Sequence, residues 1–346
     1  MRNVTLRQIR VFAAVARNLS FTRAAQELHL TQPAVSQQVS LLEEEVGMPL
    51  FEQLGRRIRL APAGTELLRY ATQVTELLRE AGETLAAVKG LKRGELKLGA
   101  VSTAKYFAPA LLSAFAPAYP EVVIKFTVAN REEIVRLLGA NELDLVIMGR
   151  PPRELDTTAE PFARHPLVII APVEHALAQR RRIPLKSLAR ESFIIREQGS
   201  GTRASMEHVF RERGVPFRAS MEVSSNETIK QAVMAGMGLS FISSHTIGLE
   251  VETGKLAILD VVGLPVVRDW YVIHLRERIL SPIASAFRAY LLENGARVIL
   301  ETIGDVSRPA RPAAARIGSG VRPRVSPAPA PATRKSAGRS APREPR

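Results

Sequence analysis

Apolar residues recur at helical spacing three times within the first 46 positions. Leu6, Ile9, Phe12, Ala13 and Ala16 mark one face of a first helix and leave Arg7, Arg10 and Arg17 to solvent. Phe21, Ala24, Ala25 and Leu28 fall at i, i+3, i+4 and i+7 behind Ser20, whose hydroxyl suits an N-cap. Arg23 stands where a full capping box would carry Glu or Gln, so only the simple cap is expected. After a turn at His29 and Leu30, a third helix begins at Thr31, tolerates Pro33 in its first turn and runs to about Val46. Its apolar stripe is Val35, Val39, Leu42 and Val46, which places Gln32, Ser36, Gln37 and Ser40 on the opposite face. Alternation over 51–60 around Gly55, Arg56 and Arg57 predicts a small hairpin with a basic tip.

The period then lengthens. Leu67, Ala71, Val74, Leu78, Ala81, Leu85 and Val88 follow one another in steps of four and three, a heptad seam. At 1.5 Å per residue that helix would extend roughly 40 Å, too far for the small preceding domain to cover, and a second copy is its expected partner. Residues 89–94 read as a hinge. Strand patterns at 96–101, 122–128, 143–148, 167–171, 193–195, 221–223, 239–242 and 270–274 then alternate with helical ones. That order predicts an α/β domain with mostly parallel sheets, ligand binding beyond the carboxyl ends of the strands, and room for two lobes. From Gly304 the chain is rich in Pro, Ala, Arg and Ser without apolar period, and disorder is expected. The division is therefore 1–61, 62–89, 90–303 and the tail 304–346. Within the third part, one lobe takes about 95–164 and 268–303, and the other about 165–267.

A chain of 346 residues, 46% hydrophobic, buries enough core for two or three domains, which excludes a wholly disordered or fibrous protein. Lys and Arg number 48 against 34 Asp and Glu, a formal +14, so polyanions are plausible partners. Much of that surplus lies in 304–346, and the body is only mildly basic. The absence of cysteine removes disulfides, thiolate metal sites and a cysteine nucleophile. Arg7, Arg10 and Arg17 interrupt what a secretory signal would need as an apolar core, and no stretch approaches a membrane span, so a soluble cytoplasmic chain with no membrane role is expected.

Two helices joined by a short turn, the second opening Thr31-Gln32-Pro33-Ala34-Val35-Ser36-Gln37, have the form of a helix-turn-helix. Glutamine can read adenine bidentately and serine can serve a base edge or a phosphate, so Gln32, Pro33, Ser36 and Gln37 are the candidate base-reading positions. An ordinary helical bundle with a solvated polar face is the competing account. Ser20, Thr22 and Thr31 at helix starts suit phosphate oxygens, although capping explains them equally well. Arg56 and Arg57 suit a wing against the backbone or minor groove, or stand as two solvated arginines.

The segments Phe21-Thr22-Arg23-Ala24-Ala25, Leu30-Thr31-Gln32-Pro33-Ala34-Val35-Ser36 and 41–51, followed by Arg56-Arg57 and Thr65, closely resemble the winged helix-turn-helix of LysR-type transcriptional regulators. The resemblance covers residues 4–300 and is most specific over the first 65. It implies an N-terminal all-α winged helix-turn-helix, a dimerising linker helix and an α/β two-lobed effector domain like the periplasmic binding proteins. It also implies binding to double-stranded promoter DNA, commonly as a tetramer that bends it and alters RNA polymerase access. A narrower likeness, in 101–107, 129–133 and 140–152, is to the regulators of RuBisCO (Calvin-cycle) operons. Those respond to metabolites of carbon fixation, so no resident cofactor is implied but a small anionic effector is, phosphorylated or a nicotinamide nucleotide.

The cleft has its own physical reading. Ser102 and Thr103 follow the first strand and are read as opening a helix, with hydroxyls and N–H groups free for an anion. Gly199-Ser200-Gly201-Thr202-Arg203 offers flexible backbone, two hydroxyls and a guanidinium between a strand and a helix, and is the stronger anion candidate. Asn130 and Arg131, Met148 and Arg150, and Asn226 complete the proposed rim; caps, turns and interdomain contacts are the alternative for each. Gly236-Met237-Gly238 lacks a dinucleotide fingerprint, the histidines form no metal-ligand pair, and Ser200 lacks a nucleophile elbow, so neither metal binding nor catalysis is expected. A ligand-responsive DNA-binding regulator explains more than an exported solute-binding protein or an α/β enzyme, because neither of those uses Gln32, Ser36 or the heptad seam.

Overall fold

Helix α1 (Leu6–Asn18) opens on a reciprocal capping box: Thr5 Oγ1 accepts from the Gln8 N–H and Gln8 Oε1 accepts from the Thr5 N–H at 2.7 Å. The structure, a computed structural model, describes residues 3–55, 57–88 and 93–306. Arg56, the stretch 89–92 and the tail from 307 lie outside the described residues. Leu6 does not join the buried face but stands half exposed ahead of it, while Gln8 is buried by its capping bonds. The remainder of α1 is buried more completely than one face requires, because it is packed on both sides. Ile9, Phe12, Ala13 and Ala16 meet Leu42, Leu50 and Ala71, whereas Val11, Ala14 and Val15 meet Ala24, Ala25, Val35 and Val39. Helix α2 (Phe21–Glu27) is capped by Ser20, and α3 (Gln32–Val46) ends at Gly47 in the left-handed region.

Strands β1 (Phe51–Leu54) and β2 (Arg57–Leu60) form the expected hairpin, turning at Gly55. Helix α4 (Pro62–Val88) starts against it so tightly that a Cβ on Gly64 would lie 2.0 Å from the Leu50 carbonyl oxygen. This contact corrects the seam. Leu67 and Ala71 turn inward onto the α1 core, Ala71 almost fully, because the first turns of α4 close the DNA-binding domain. Val74, Leu78, Ala81 and Leu85 remain exposed, joined by Tyr70 and Leu77, while the Val88 side chain lies outside what the structure describes.

Beyond it the elements alternate: β3 (Arg93–Val101), α5 (Ala108–Phe115), β4 (Glu121–Ala129), α6 (Arg131–Gly139), β5 (Leu145–Met148), β6 (Thr157–Pro172), β7 (Ser192–Arg196), α7 (Gly201–Glu212), β8 (Arg218–Val223), α8 (Asn226–Met234), β9 (Ser240–Ser243), α9 (Gly248–Glu252), β10 (Leu256–Ile258), β11 (Val266–Leu275) and α10 (Pro282–Ile303). Arg93 and Gly94, expected in the hinge, belong to β3 instead, and the rest of that stretch, 89–92, lies outside the described residues. The sheets are mixed rather than mostly parallel. β3 runs parallel to β4 and β5, and β7 parallel to β8, but β6 and β11 are antiparallel to each other, and β5, β9 and β10 pair antiparallel onto them. The reason is connectivity: the chain crosses between lobes outward on β6 and returns on β11. Phe162 and Trp270 belong to the core around Leu98, Phe107 and Phe287, while Leu167 belongs to the core around Phe193, Phe210 and Phe241.

Helix α4 is tied to the first lobe by charge. Glu76 pairs with Arg79 and with Lys97 of β3, and buried Asp144 accepts from Arg278, from Arg79 at 3.3 Å and from the Lys97 N–H at 2.7 Å.

Candidate DNA interface and effector cavity

On α3 the heptad-like burial of Val35, Val39 and Leu42 leaves Gln32, Pro33, Gln37 and Ser40 exposed and Ser36 half exposed on one outward face. That face carries amides and hydroxyls without charge at its centre, a chemistry suited to base edges in the major groove. Thr31 is the N-cap residue but its hydroxyl makes no capping bond, whereas the hydroxyl of Ser20 accepts from the Arg23 N–H at 3.3 Å. Thr22 and Arg57 are exposed, and Arg57 opens β2 opposite Leu54.

The second site is a cavity of about 320 Å³ where the carboxyl ends of β3, β4, β5 and β7 converge above the crossing strands β6 and β11. It brings together nine of the ten residues expected there: Ser102, Thr103, Asn130, Arg131, Met148, Arg150, Ser200, Thr202 and Arg203. Asn226 lies just behind the wall, where its Oδ1 accepts from buried Arg196 at 2.7 Å. Six arginines line the cavity (131, 150, 153, 196, 203 and 268) against two glutamates (154 and 207) among the described residues.

Those arginines are not equivalent. Arg131 pairs with Glu154, Arg196 is held by Glu197 and Asn226, and Arg203 is committed to Glu207, Glu222 and the Arg196 carbonyl. The bonds from Glu207 and Glu222 hold Arg203 above the ordinary guanidinium value, so it frames the wall rather than offering an unspent charge. By contrast, Arg150, Arg153 and Arg268 have no ion-pairing carboxylate among the described residues, and burial, then the charge of Arg150, push Arg268 below that ordinary value. Three cations without carboxylate partners in one wall are a chemistry suited to an anion.

The expected helix start at Ser102 is corrected. Only a short 3-10 turn, Ala104–Tyr106, follows, with α5 beginning later. The N–H of Ser102 is spent on the Ala129 carbonyl and its hydroxyl accepts from Arg196 at 3.1 Å, so its part is to hold Arg196 in place. Asn130 caps α6 through the Glu133 N–H. Ser200, at the start of α7, makes no side-chain capping bond and lines the cavity. Arg153, Arg196, Arg268 and His165 were not read from the sequence. Arg196 closes β7 and carries the signal of a strand's carboxyl end, whereas Arg153 lies in the loop between β5 and β6, and Arg268 and His165 sit inside crossing strands whose path no local pattern reveals. His165 packs so closely that a Cβ on Gly149 would approach its Nδ1 to 2.6 Å. Among the described residues no cluster of His, Asp or Glu is arranged for a metal, and no helix is long and apolar enough to cross a membrane.

An outward amide-bearing helix carried with a two-lobed ligand cavity on one chain defines a ligand-responsive DNA-binding regulator. Residues 6–65 match the model of the bacterial regulatory helix-turn-helix protein, lysR family, and residues 89–296 that of the LysR substrate binding domain. The chain belongs to the LysR family and is a transcriptional regulator, not an enzyme. It is 49% identical over 296 residues to the RuBisCO operon transcriptional regulator of Allochromatium vinosum, covering 86% of this chain and 98% of that one. It is 50% identical over 286 residues to the HTH-type transcriptional regulator CbbR of Rhodospirillum rubrum, covering 83% and 95%. The regulatory domain of Synechocystis CcmR, solved in complex with 2-PG, is 42% identical, covers 58% of this chain and 97% of its own, and superposes with a TM-score of 0.57. Full-length CbnR complexed with its target DNA, 23% identical, shares the fold with a TM-score of 0.60 over 84% of this chain and 100% of that one.

Proposed function

We propose that this regulator controls carbon-fixation (RuBisCO, Calvin-cycle) genes in response to a small, strongly anionic and preferably phosphorylated metabolite held between its two lobes. The observation that carries the effector class is the trio Arg150, Arg153 and Arg268, which line the cavity without carboxylate partners. The gene class is supported by the near-full-length likeness to the two RuBisCO-type regulators, and the anion by the 2-PG in the Synechocystis domain. A cavity at the lower end of the ligand-pocket range favours a compact anion over a nicotinamide dinucleotide. In this reading the chain is cytoplasmic and acts as a dimer or tetramer on an interrupted palindrome. Gln32, Pro33, Ser36 and Gln37 meet base edges from the exposed face of α3, while Ser20, Thr22, Thr31 and Arg57 meet the backbone. Effector binding favours one placement of the lobes, and that difference reaches DNA bending and polymerase access through the oligomer.

Calorimetric titration with 2-PG and with inorganic phosphate tests the effector class. Binding of either by the native chain, weakened roughly 10- to 100-fold in Arg268→Gln, is the expected result. Heat from NADPH but from neither anion would overturn it.

A further inference from the structure

His165 is 6% exposed and lines the anion cavity, yet neither ring nitrogen has a hydrogen-bond partner. A buried imidazole without partners is costly, and an orphaned polar group in a ligand cavity points to a ligand atom that satisfies it. The ring is fixed on both sides. It stacks on the indole of Trp270 at 3.8 Å between centroids, and the backbone of Gly149 lies against its Nδ1 side. Trp270 in turn donates from Nε1 to His245 Nδ1 at 3.0 Å.

We propose that His165 is an effector ligand of this cavity, donating an imidazolium N–H to the bound anion and taking up one proton from solvent as the anion enters. The proposal rests on the anion reading of the cavity. In the empty cavity the groups facing His165 favour the neutral ring. Arg268, its cross-strand partner on β11, and Arg150 beyond the end of β5 are cationic, and His245 from the turn after β9 adds no negative charge. Burial first, then His245 and Arg268, hold His165 well below the usual histidine value. The carboxylates of the cavity, Glu154 and Glu207, are engaged with Arg131 and Arg203. A dianion reverses the balance: it neutralises the neighbouring guanidiniums, supplies the missing acceptor, and leaves the imidazolium stacked on an aromatic face that favours a cation. A monoanion does this less well, so proton uptake also makes the site prefer doubly charged groups.

The full-length chain carries a single tryptophan, Trp270, against the ring in question, which gives a direct readout. Sulfate is the probe because it stays doubly charged across neutral pH, so any proton taken up belongs to the protein; inorganic phosphate is the second probe. Between roughly pH 6 and pH 8, sulfate affinity should fall by up to about tenfold per pH unit. Trp270 emission should change with occupancy, and calorimetry in two buffers of different ionisation heat should return uptake approaching one proton. His165→Gln, which cannot become charged, should abolish the uptake and flatten the pH slope. Sulfate binding without proton uptake by the native chain, or uptake undiminished in a folded His165→Gln protein, overturns the proposal while leaving the anion cavity intact. If neither sulfate nor phosphate binds the native chain, the anion cavity falls, and the role of His165 with it.

Discussion

Histidine burial ties single residues here to the pH response of the whole fold. His245 accepts the Trp270 indole N–H, and burial lowers its pKa from 6.5 to about 4, with Asp305 opposing. A folded pKa below the unfolded one means that the unfolded chain binds more protons between those values. The stabilisation by neutral His245 is therefore complete above about 6.5 and is lost as the pH falls towards 4. Thermal midpoints followed over that interval should drop, and His245→Gln, which retains an acceptor for the indole, should make the drop shallower. An unchanged slope would separate His245 from the acid sensitivity. His165 on β6, whose ring stacks 6.1 Å from that of His245, is likewise held low by burial and adds to the same acid sensitivity, so the slope left in His245→Gln belongs in part to it.

At the scale of elements, α4 has two unlike halves. Its opening turns, through Gly64, Leu67 and Ala71, are part of the DNA-binding core, whereas Val74, Leu77, Leu78, Ala81 and Leu85 lie exposed along one helix. If that stripe joins two copies, Leu78→Glu with Leu85→Glu should shift the protein to a smaller species in analytical ultracentrifugation without lowering its helix content; an unchanged mass would move the interface elsewhere. The helices of the first 60 residues are legible in the sequence because each is amphipathic and bounded by cap residues: Thr5 and Ser20 make side-chain capping bonds, and Gly47 ends α3. The sequence misjudged Leu67 and Ala71 because a heptad step looks the same whether the neighbour is α1 or a second copy. The strand positions were legible from local apolar runs, but their directions were not: β6 runs 16 residues through both lobes, and only long-range pairing with β11 makes the sheet mixed. For the same reason the cavity residues at strand ends were readable, while Arg268 and His165 on the crossing strands were missed.

For the whole molecule, the linkage between reading head and effector domain runs through charge. Asp144 and Arg278 are almost fully buried and face each other, with Arg79 of α4 completing the group. Burial raises the Asp144 pKa against the pull of Arg278, so the carboxylate depends on those cations to stay charged. Arg278→Met, which strands it, should cost about 3–5 kcal/mol in chemical denaturation; a loss under about 1 kcal/mol would mean that Arg79 and the Lys97 N–H suffice. One consequence concerns how the protein can be divided. Because Glu76 and Arg79 lie well before residue 89, a fragment cut at the start of the effector domain discards two of the groups that neutralise its first lobe. Such a fragment would keep the cavity but enter solution with Asp144 short of one counter-charge and Lys97 without Glu76. Measurements of ligand affinity on it would describe a lobe released from its tether, not the receiver that sits on the promoter.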